Sequence, residues 1–534
     1  MPESSTSPRR DTSASEQPPA ARATLGATGV LAGGILVSRL LGLLREVIAA
    51  RQFGTTRAKE CFVAAWQVPF GIGNAVARLL TGAMVPVFTS YVSRGKEGEG
   101  WRVASTIGAL VAVLLAAVWV LGTAGAGPAA VMLVPRFEPE SHALTTRLLR
   151  IALPYIIIAP LGTLLFCILI SYQRFLPAAV AQAAPNVLIV AALLTLAPAL
   201  GIDALAVGSV LGGLAFTLVQ VPSTWRLKGR RPLLGMHVRH EGVKQVGRLC
   251  LPLVIPTALG PIVAMARRAL ASGLQPGSVA DLDYANYIVL IPVGILVSAT
   301  ATVVLPKLAH RAARDDVEGM KRLVSIGLRL VVALTVPAMV LAIMLRHSVV
   351  RVLYERGQFG PQATSRVAEV LLWSGGLLVT SGFVEVLTRS FHAGQDTLTP
   401  SALAVGGSLV RLCLMLALIG PLGIRGLAVA PWLTQTAISA AMAAALRRRV
   451  GPMRGREIGR CFLGLAAAGA MMAALLRATT VWVLPAWRGV GGMHEALWLA
   501  VQCAVASAVY VLLVLILNPA ERRALLNRVS AARG

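Results

Sequence analysis

The run "VSRLLGLLREVIAARQFG", Val37 to Gly54, decides how the whole chain is read. Its first half is apolar, rich in Leu and Gly and free of helix breakers, as a bilayer-crossing helix requires. Yet Arg39 sits well inside it, and Arg45 and Glu46 follow within two turns. Charge at membrane depth costs roughly 2.5–3.5 kcal/mol per residue on insertion scales, so such residues face a water-filled cavity, pair with one another, or snorkel to an interface.

Outward from this run, the chain has 534 residues, 56% of them hydrophobic and only 14% charged, with mean hydropathy +0.73. Apolar runs of about 20 residues, each able to cross the roughly 30 Å hydrocarbon layer, recur along nearly the whole length. The short alternating strands of a barrel are absent. The composition therefore predicts an all-α polytopic membrane protein, with about 14 spans near 24–48, 60–90, 103–123, 148–172, 178–199, 203–223, 246–272, 284–306, 325–345, 367–391, 401–420, 424–445, 460–484 and 496–517. Residues 1–23, polar and rich in Ser and Pro, read as a disordered cytoplasmic tail with no signal peptide, and 521–534 as a basic cytoplasmic tail.

The net charge of +27 resides largely in loops. Arg226, Lys228, Arg230, Arg231, Arg239, Lys244 and Arg248 cluster between the sixth and seventh spans. Lys307, Arg311, Arg314, Lys321 and Arg322 lie between the eighth and ninth, and Arg447, Arg448, Arg449, Arg454 and Arg456 between the twelfth and thirteenth. The seventh-to-eighth connection holds only Asp281 and Asp283. This asymmetry places both termini in the cytoplasm, although Arg136, Arg351 and Arg356 then fall on the other side. No basic soluble domain interleaved with aromatics exists to bind nucleic acid.

The chain also repeats itself. "ECFVAAWQVPFGI" (60–72) resembles "LDYANYIVLIPVGI" (282–295), with P-x-G-I aligned, and "FLPAAVAQAAPNVLIV…LGIDALAVG" (175–208) resembles "TLTPSALAVGGSLVRL…LGIRGLAVA" (397–430). A period of about 220 residues covers six helices, so the halves share orientation about an axis along the membrane normal. We expect two pseudo-symmetric six-helix lobes around a central cavity plus two C-terminal helices. The N-lobe is placed at 24–225, a basic cytoplasmic linker at 226–245, the C-lobe at 246–447 and the last two helices at 448–520. Lobes that rock about a shared cleft are a transporter architecture.

Arg39 and Glu46 are seven residues apart and share a helix face, whereas Arg45 points elsewhere on the cylinder. Glu60 and Arg78 lie in the second span, and Arg267 and Arg268 near the end of the seventh. Glu385 and Arg389, i and i+4 in the tenth, read as a helix-surface salt bridge, with a gating pair as the alternative. A cleft holding several arginines and few carboxylates attracts an anion, and guanidinium forks suit phosphate oxygens.

Taken together, "SRLLGLLREVIAARQFG", "AKECFVAAWQVP", "VPVFTSY", "YANYIVLIPVGI", "VLPKLAHRAA", "LYERGQFG", "RSFHAGQDTLTP" and "PLGIRGLAVA" resemble the MurJ/MviN lipid II flippases of the MOP superfamily, in the same order over roughly 24–450. The last two helices match in position and hydropathy only. The resemblance implies 14 helices and alternating access. It also implies a role in peptidoglycan biosynthesis at the bacterial inner membrane: moving lipid II, an undecaprenyl-diphosphate-linked disaccharide-pentapeptide, from the inner to the outer leaflet. By the same likeness the family's first-helix arginines map onto Arg39 and Arg45, its neighbouring acid onto Glu46, and the acid opening its second helix onto Glu60. Where the family carries arginine after the second-helix proline, this chain has Gly73 and Asn74. Where the family reads Tyr-Ala-Asp-Arg in the eighth helix, it has Tyr284, Ala285, Asn286 and Tyr287.

The expected site is thus Arg39, Arg45, Glu46, Glu60, Arg78, Arg267 and Arg268, with one of the last two, preferably Arg268, standing in for a lost arginine and Arg78 covering the second-helix side. The alternatives are a flippase for another polyprenyl-diphosphate glycan and a non-transporting scaffold of cell-wall assembly; unpaired arginines at membrane depth favour transport. An enzyme is not expected. Asp281-x-Asp283 has no nucleotide-binding domain beside it, His237 and His240 (HVRH) are weak metal ligands alone, and no GxxxxGK[ST] occurs. The scattered cysteines Cys61, Cys167, Cys250, Cys413, Cys461 and Cys503 read as packing residues. We expect a monomer without cofactor, contacting membrane lipids and, in cell-wall assembly, synthesis proteins, and powered by the membrane potential or a coupling ion.

Overall fold

The computed structural model describes residues 19–227, 236–312, 316–452, 455–482 and 492–517; within its helices, side chains are described for all but 19–32, 295–310, 312, 456–458, 481–482 and 492–493. The tail read at 521–534 lies outside the described residues, as do most of the tail at 1–23 and the middle of the basic linker.

Among the described residues every regular element is a helix. The first half contains α1 (Pro19–Phe53), α2 (Arg57–Ser93), α3 (Glu97–Ala124), α4 (Ala126–Leu133), α5 (Pro139–Ala152), α6 (Tyr155–Ser171), α7 (Phe175–Thr195), α8 (Ala197–Leu200), α9 (Asp203–Leu218) and α10 (Val221–Trp225). The second contains α11 (Glu241–Ala271), α12 (Ser278–Ala312), α13 (Val317–Met344), α14 (Arg346–Tyr354), α15 (Pro361–Ser374), α16 (Gly376–Ala393), α17 (Leu398–Leu422) and α18 (Ile424–Val450), followed by α19 (Gly455–Trp482) and α20 (Gly492–Leu517).

Twelve helices or helix pairs among the described residues are long and apolar enough to cross a membrane, against the fourteen expected. The two runs outside that count, 24–48 and 284–306, lie in α1 and α12, each 35 residues long. In α1 the apolar run is broken by Arg39, Arg45 and Glu46 within eight residues.

The repeat is visible in the packing. In the first half α2 packs on α6, α7 on α9, α6 on α9 and α1 on α7; in the second α12 packs on α16, α17 on α18, α16 on α18 and α11 on α17. The backbone repeats as well. Gln173 and Gln395 both adopt φ 58°, Gly201 and Gly423 adopt φ 56° and 55°, and Gly54 and Gly277 adopt φ 53° and 96°, each pair 222 or 223 residues apart. At both glutamines the helix closes with the same bonds: Arg174 N–H donates to Leu169 O at 2.8 Å, and Asp396 N–H to Phe391 O at 3.0 Å. A left-handed residue there satisfies carbonyls that the helix end would orphan.

One relation breaks the symmetry. Helix α11 also runs along α2, its most extensive neighbour, although the lobe boundary was expected before it. Gly71 of the first P-x-G-I admits this approach, since a Cβ there would lie 2.9 Å from Pro261 of α11. Pro252, Pro256 and Pro261 fall within ten residues of α11. Prolines kink a membrane helix while neighbours satisfy the freed carbonyls, so α11 can leave α17 and lean on α2.

The lobes are tied together at the end where α1 meets α2. Gln358 N–H donates to Arg51 O at 3.0 Å, the Tyr284 hydroxyl to Gly54 O at 2.9 Å, Arg366 to Thr55 Oγ1 at 2.9 Å, and Val279 N–H to Glu60 Oε1 at 2.9 Å. Gly54 is required here by its positive φ, and a Cβ would also collide with Gln358 O.

Asp281 and Asp283, expected in a loop, stand instead in the first two turns of α12, because the helix begins at Ser278. Asp281 is fully buried and accepts from Arg366 Nε at 2.8 Å. His240 of the HVRH run caps α11: its Nδ1 accepts from Gly242 N–H at 3.0 Å, and its Nε2 lies 2.6 Å from Glu99. All six cysteines are free thiols.

Candidate functional site: a charged cavity between the lobes

A cavity of about 650 Å³ lies between the lobes, lined by α1, α2, α6, α7, α9, α11 and α12. Arg39, Arg45, Glu46, Arg267 and Arg268 all line it, which brings five of the seven expected binding residues together.

Arg45 is the hub. It donates to Glu46 Oε1 at 2.8 Å, to Asn186 Oδ1 of α7 at 3.2 Å, and to the hydroxyl of Tyr287 on α12. Its guanidinium also stands 5.4 Å from the Tyr287 ring centroid. The hub thus touches both lobes. Asn186 is itself fixed by donating to Ser38 O at 2.9 Å, so α1 and α7 hold the arginine from two sides.

Behind Glu46 stands Lys59, whose Nζ is 3.2 Å from Oε2. Lys59 is 1% exposed and Glu46 6%, and the ammonium also sits 5.0 Å from the Tyr284 ring centroid. Arg45, Glu46 and Lys59 therefore form a buried triad with a net charge of one. A buried carboxylate between two cations satisfies the demand that charges away from water be paired.

Arg39 lies one and a half turns from Arg45 and reaches across to Leu290 O of α12 at 3.3 Å. Its guanidinium rests against Gly294, the glycine of the second P-x-G-I, where a Cβ would collide with it. The two repeat glycines thus serve the same physical end, close approach: Gly71 takes a helix and Gly294 takes a guanidinium.

On the other wall, Arg268 pairs with Asp283 at 3.4 Å, and among the described residues Arg267 has no ion-pair partner. The sequence favoured Arg268 as the cation available to an anion; the geometry places both in the lining and leaves Arg267 the less engaged. Arg268 is also the repeat counterpart of Arg45, 223 residues on, as Gly277 is of Gly54.

The remaining expected residues lie elsewhere. Glu60 is 1% exposed and stands outside the lining; it receives Val279 N–H at the start of α12 and pairs with Arg57 at 2.8 Å, a helix-capping role. Arg78 is exposed on α2, beyond the lining residues Asn74 and Ala77. Glu385 and Arg389 form the expected i,i+4 pair at 2.7 Å on α16, away from the cavity. Lys59, Asp283, Asn186 and Tyr287 were not among the expected site residues.

Chemically the cavity offers guanidinium forks for oxyanions, amide groups for hydrogen bonding and aromatic faces. Among the described residues no group of three or more His, Cys, Asp or Glu is arranged to hold a metal.

Comparison with known proteins agrees with this geometry. The profile of the family described as Lipid II flippase MurJ matches residues 49–501. A protein from Rhizobium meliloti named probable lipid II flippase MurJ is 30% identical over 416 residues, 74% of this chain and 76% of its own length. One of the same name from Vibrio cholerae is 28% identical over 512 residues, 90% of this chain and 94% of its own. Among solved structures, a lipid II flippase MurJ in an inward closed conformation superposes with a TM-score of 0.74 at 20% identity, covering 95% of this chain and 99% of its own. An inward-facing multidrug resistance MATE family transporter of the MOP superfamily gives 0.65 at 16% identity, covering 79% and 99%; both likenesses are of fold. The chain belongs to the lipid II flippase MurJ family.

Proposed function

We propose that this member of the MurJ family is a lipid II flippase of the bacterial inner membrane, and that its substrate's diphosphate binds in the cavity between the lobes. The observation that carries the reading is the cationic lining among the described residues, Arg39, Arg45, Lys59, Arg267 and Arg268, opposed by two carboxylates, Glu46 and Asp283. A diphosphate leaving water needs several charge-assisted hydrogen bonds to offset its desolvation, and guanidinium supplies them bidentately. The MATE-like exporters of the same fold give no reason to expect such a lining: a cationic drug would be repelled by it. A scaffold has no use for it either.

Loop charge supports an orientation with both termini in the cytoplasm. In that orientation the bonded end, where Gly54, Thr55, Glu60 and Arg366 tie the lobes, faces outward, and the cavity is available from the inner leaflet. Outward release requires those cross-lobe bonds to break while new ones form at the opposite end.

The test is translocation of labelled lipid II by the purified chain in proteoliposomes, with and without an imposed potential. A diphosphate carries about two negative charges, and outward movement in an interior-negative cell gains roughly 2.3 kcal/mol per charge per 100 mV when no countercharge travels. We expect an interior-negative potential to accelerate outward flipping. Absence of translocation would defeat the substrate assignment, and a rate indifferent to the potential would mean that a coupled ion or moving arginines cancel the charge.

Gly294 gives a second test. Gly294→Ala places a methyl where the Arg39 guanidinium now rests. We expect it and Arg39→Ala each to lower flipping by roughly ten- to hundred-fold, corresponding to the loss of about one charge-assisted hydrogen bond of 1.5–3 kcal/mol. Arg39→Lys should retain part, since lysine keeps the charge without the fork. Full activity of Gly294→Ala together with a defective Arg39→Ala would show that the guanidinium works from another position.

A further inference from the structure

The cavity has an aromatic wall, which the Lys59 ammonium meets at one end, 5.7 Å from the Phe62 ring centroid. Phe62, Trp66 and Phe70 are spaced four residues apart on α2 and share one face. Phe62 and Trp66 lie 6.2 Å apart and nearly parallel at 11°, and Trp66 and Phe70 5.9 Å apart. Tyr155 closes the group from α6, 4.7 Å from Trp66 and 6.4 Å from Phe70. All four line the cavity, and Phe70 is 43% exposed, so the group is not a sealed core.

From this arrangement we propose that the aromatic wall is a saccharide shelf, on which a pyranose ring of the substrate headgroup stacks while the diphosphate is held by the arginines. The proposal rests on the lipid-linked glycan substrate argued above. Pyranoses present a face of C–H groups of slightly positive character, and aromatic faces are negative, so the two stack. Amide groups border the rings as sugar hydroxyls require: Gln67 and Asn74 both line the cavity. An isoprenoid chain would have no use for them.

Position supports the same occupant. Arg45 lies eight residues before the end of α1 and Trp66 nine after the start of α2, so both stand roughly 12–14 Å from that end of the bundle. The first sugar is bonded directly to the diphosphate. A phosphate at Arg45 therefore brings a pyranose to the level of Trp66.

The shelf also accounts for a departure from the family pattern. Gly73 and Asn74 replace the second-helix arginine expected from the resemblance. A Cβ at Gly73 would stand 3.4 Å from the Tyr155 ring, and one at Gly213 of α9 2.8 Å from its other edge. These two glycines make the slot in which Tyr155 lies, and a long side chain at 73 would fill it. Asn74 is held back by donating to Phe70 O at 2.9 Å, which keeps the ring faces clear.

The experiment compares binding of lipid II with that of bare undecaprenyl diphosphate to the purified full chain in detergent. Wild-type protein should prefer lipid II. Trp66→Ala and, independently, Phe70→Ala should weaken lipid II binding about ten-fold and leave undecaprenyl diphosphate unchanged, while Trp66→Phe keeps most of the preference. Phe70 is exposed, so its variant is expected to fold. An equal loss for both ligands would overturn the shelf, because the wall would then hold the polyprenyl chain or only the fold; unchanged binding of both in the two alanine variants would overturn it too. Wild-type protein that binds bare diphosphate but shows no preference for lipid II removes the shelf alone. Binding of neither ligand by the wild type removes the substrate assignment beneath it.

Discussion

Arg45→Ala is expected to reduce lipid II translocation by at least 100-fold at matched protein level. Among the described residues Arg45 is the one cavity cation that bonds to both lobes, through Asn186 of α7 and Tyr287 of α12. Removing it withdraws a fork from the anion, leaves Glu46 with a single cation, and cuts a link that registers α1 against α12. Truncating one partner of a buried, hydrogen-bonded charge pair costs about 3–5 kcal/mol, and every 1.4 kcal/mol is ten-fold. Part of that cost falls on stability, so the melting temperature must be read beside the flipping rate. Arg45→Lys keeps charge but cannot serve Glu46, Asn186 and Tyr287 in one plane, and should lose about ten-fold. Arg268→Ala, the repeat counterpart, should do less, because Arg267 remains in the lining and Arg268 bonds only within its own half, to Asp283 and Ala264 O. An Arg45→Ala protein that flips lipid II within two-fold of wild type would show that the substrate does not pass this hub.

Much of this was legible beforehand, and the reasons for the misses are physical. Hydropathy located the helices because a bilayer demands about 20 apolar residues per crossing, and the period of about 220 residues pointed to the repeat that the backbone angles and helix packing carry. Arg39, Arg45 and Glu46 were legible because charge in a lipid-facing helix is costly enough to need a cavity. Lys59 was missed because it reads as an ordinary charge at the start of a span; only the tertiary fold, in which α12 packs on both α1 and α2, buries it beside Glu46. Asp283 was missed because its helix was expected to begin after it. Arg78 and Glu60 illustrate the opposite limit. Both lie on a cavity helix, but helical spacing does not say which face meets the cleft, and in α2 that face is set by Pro69, Gly71 and the leaning of α11. Arg45 was expected to diverge from Arg39, yet both line the cavity, since a wide cleft and a long side chain tolerate the angle between them.

Lys59 carries the second large expectation. Lys59→Ala should destabilise the protein by about 3–5 kcal/mol, because Glu46 then keeps its buried charge with one partner instead of two. The double variant Glu46→Gln with Lys59→Met should recover most of that stability. Glutamine can still accept from Arg45, and methionine fills the space of the lysine stem beside Phe62 and Tyr284 without a charge to solvate. The charge of the cluster is the same in the wild type and the double variant: two cations and one anion become one cation. If the triad served only to set the cavity's potential, the double variant would flip lipid II normally. We expect it to stay at least ten-fold slow. A neutral amide holds a guanidinium by weaker, less directional bonds than a carboxylate does, so Arg45 would be free to leave Tyr287 and Asn186. Thermal unfolding in detergent and flipping in proteoliposomes separate the two roles. Recovery of both stability and transport would reduce Lys59 and Glu46 to a charge balance; recovery of stability alone identifies the pair as the device that orients Arg45 toward its ligand.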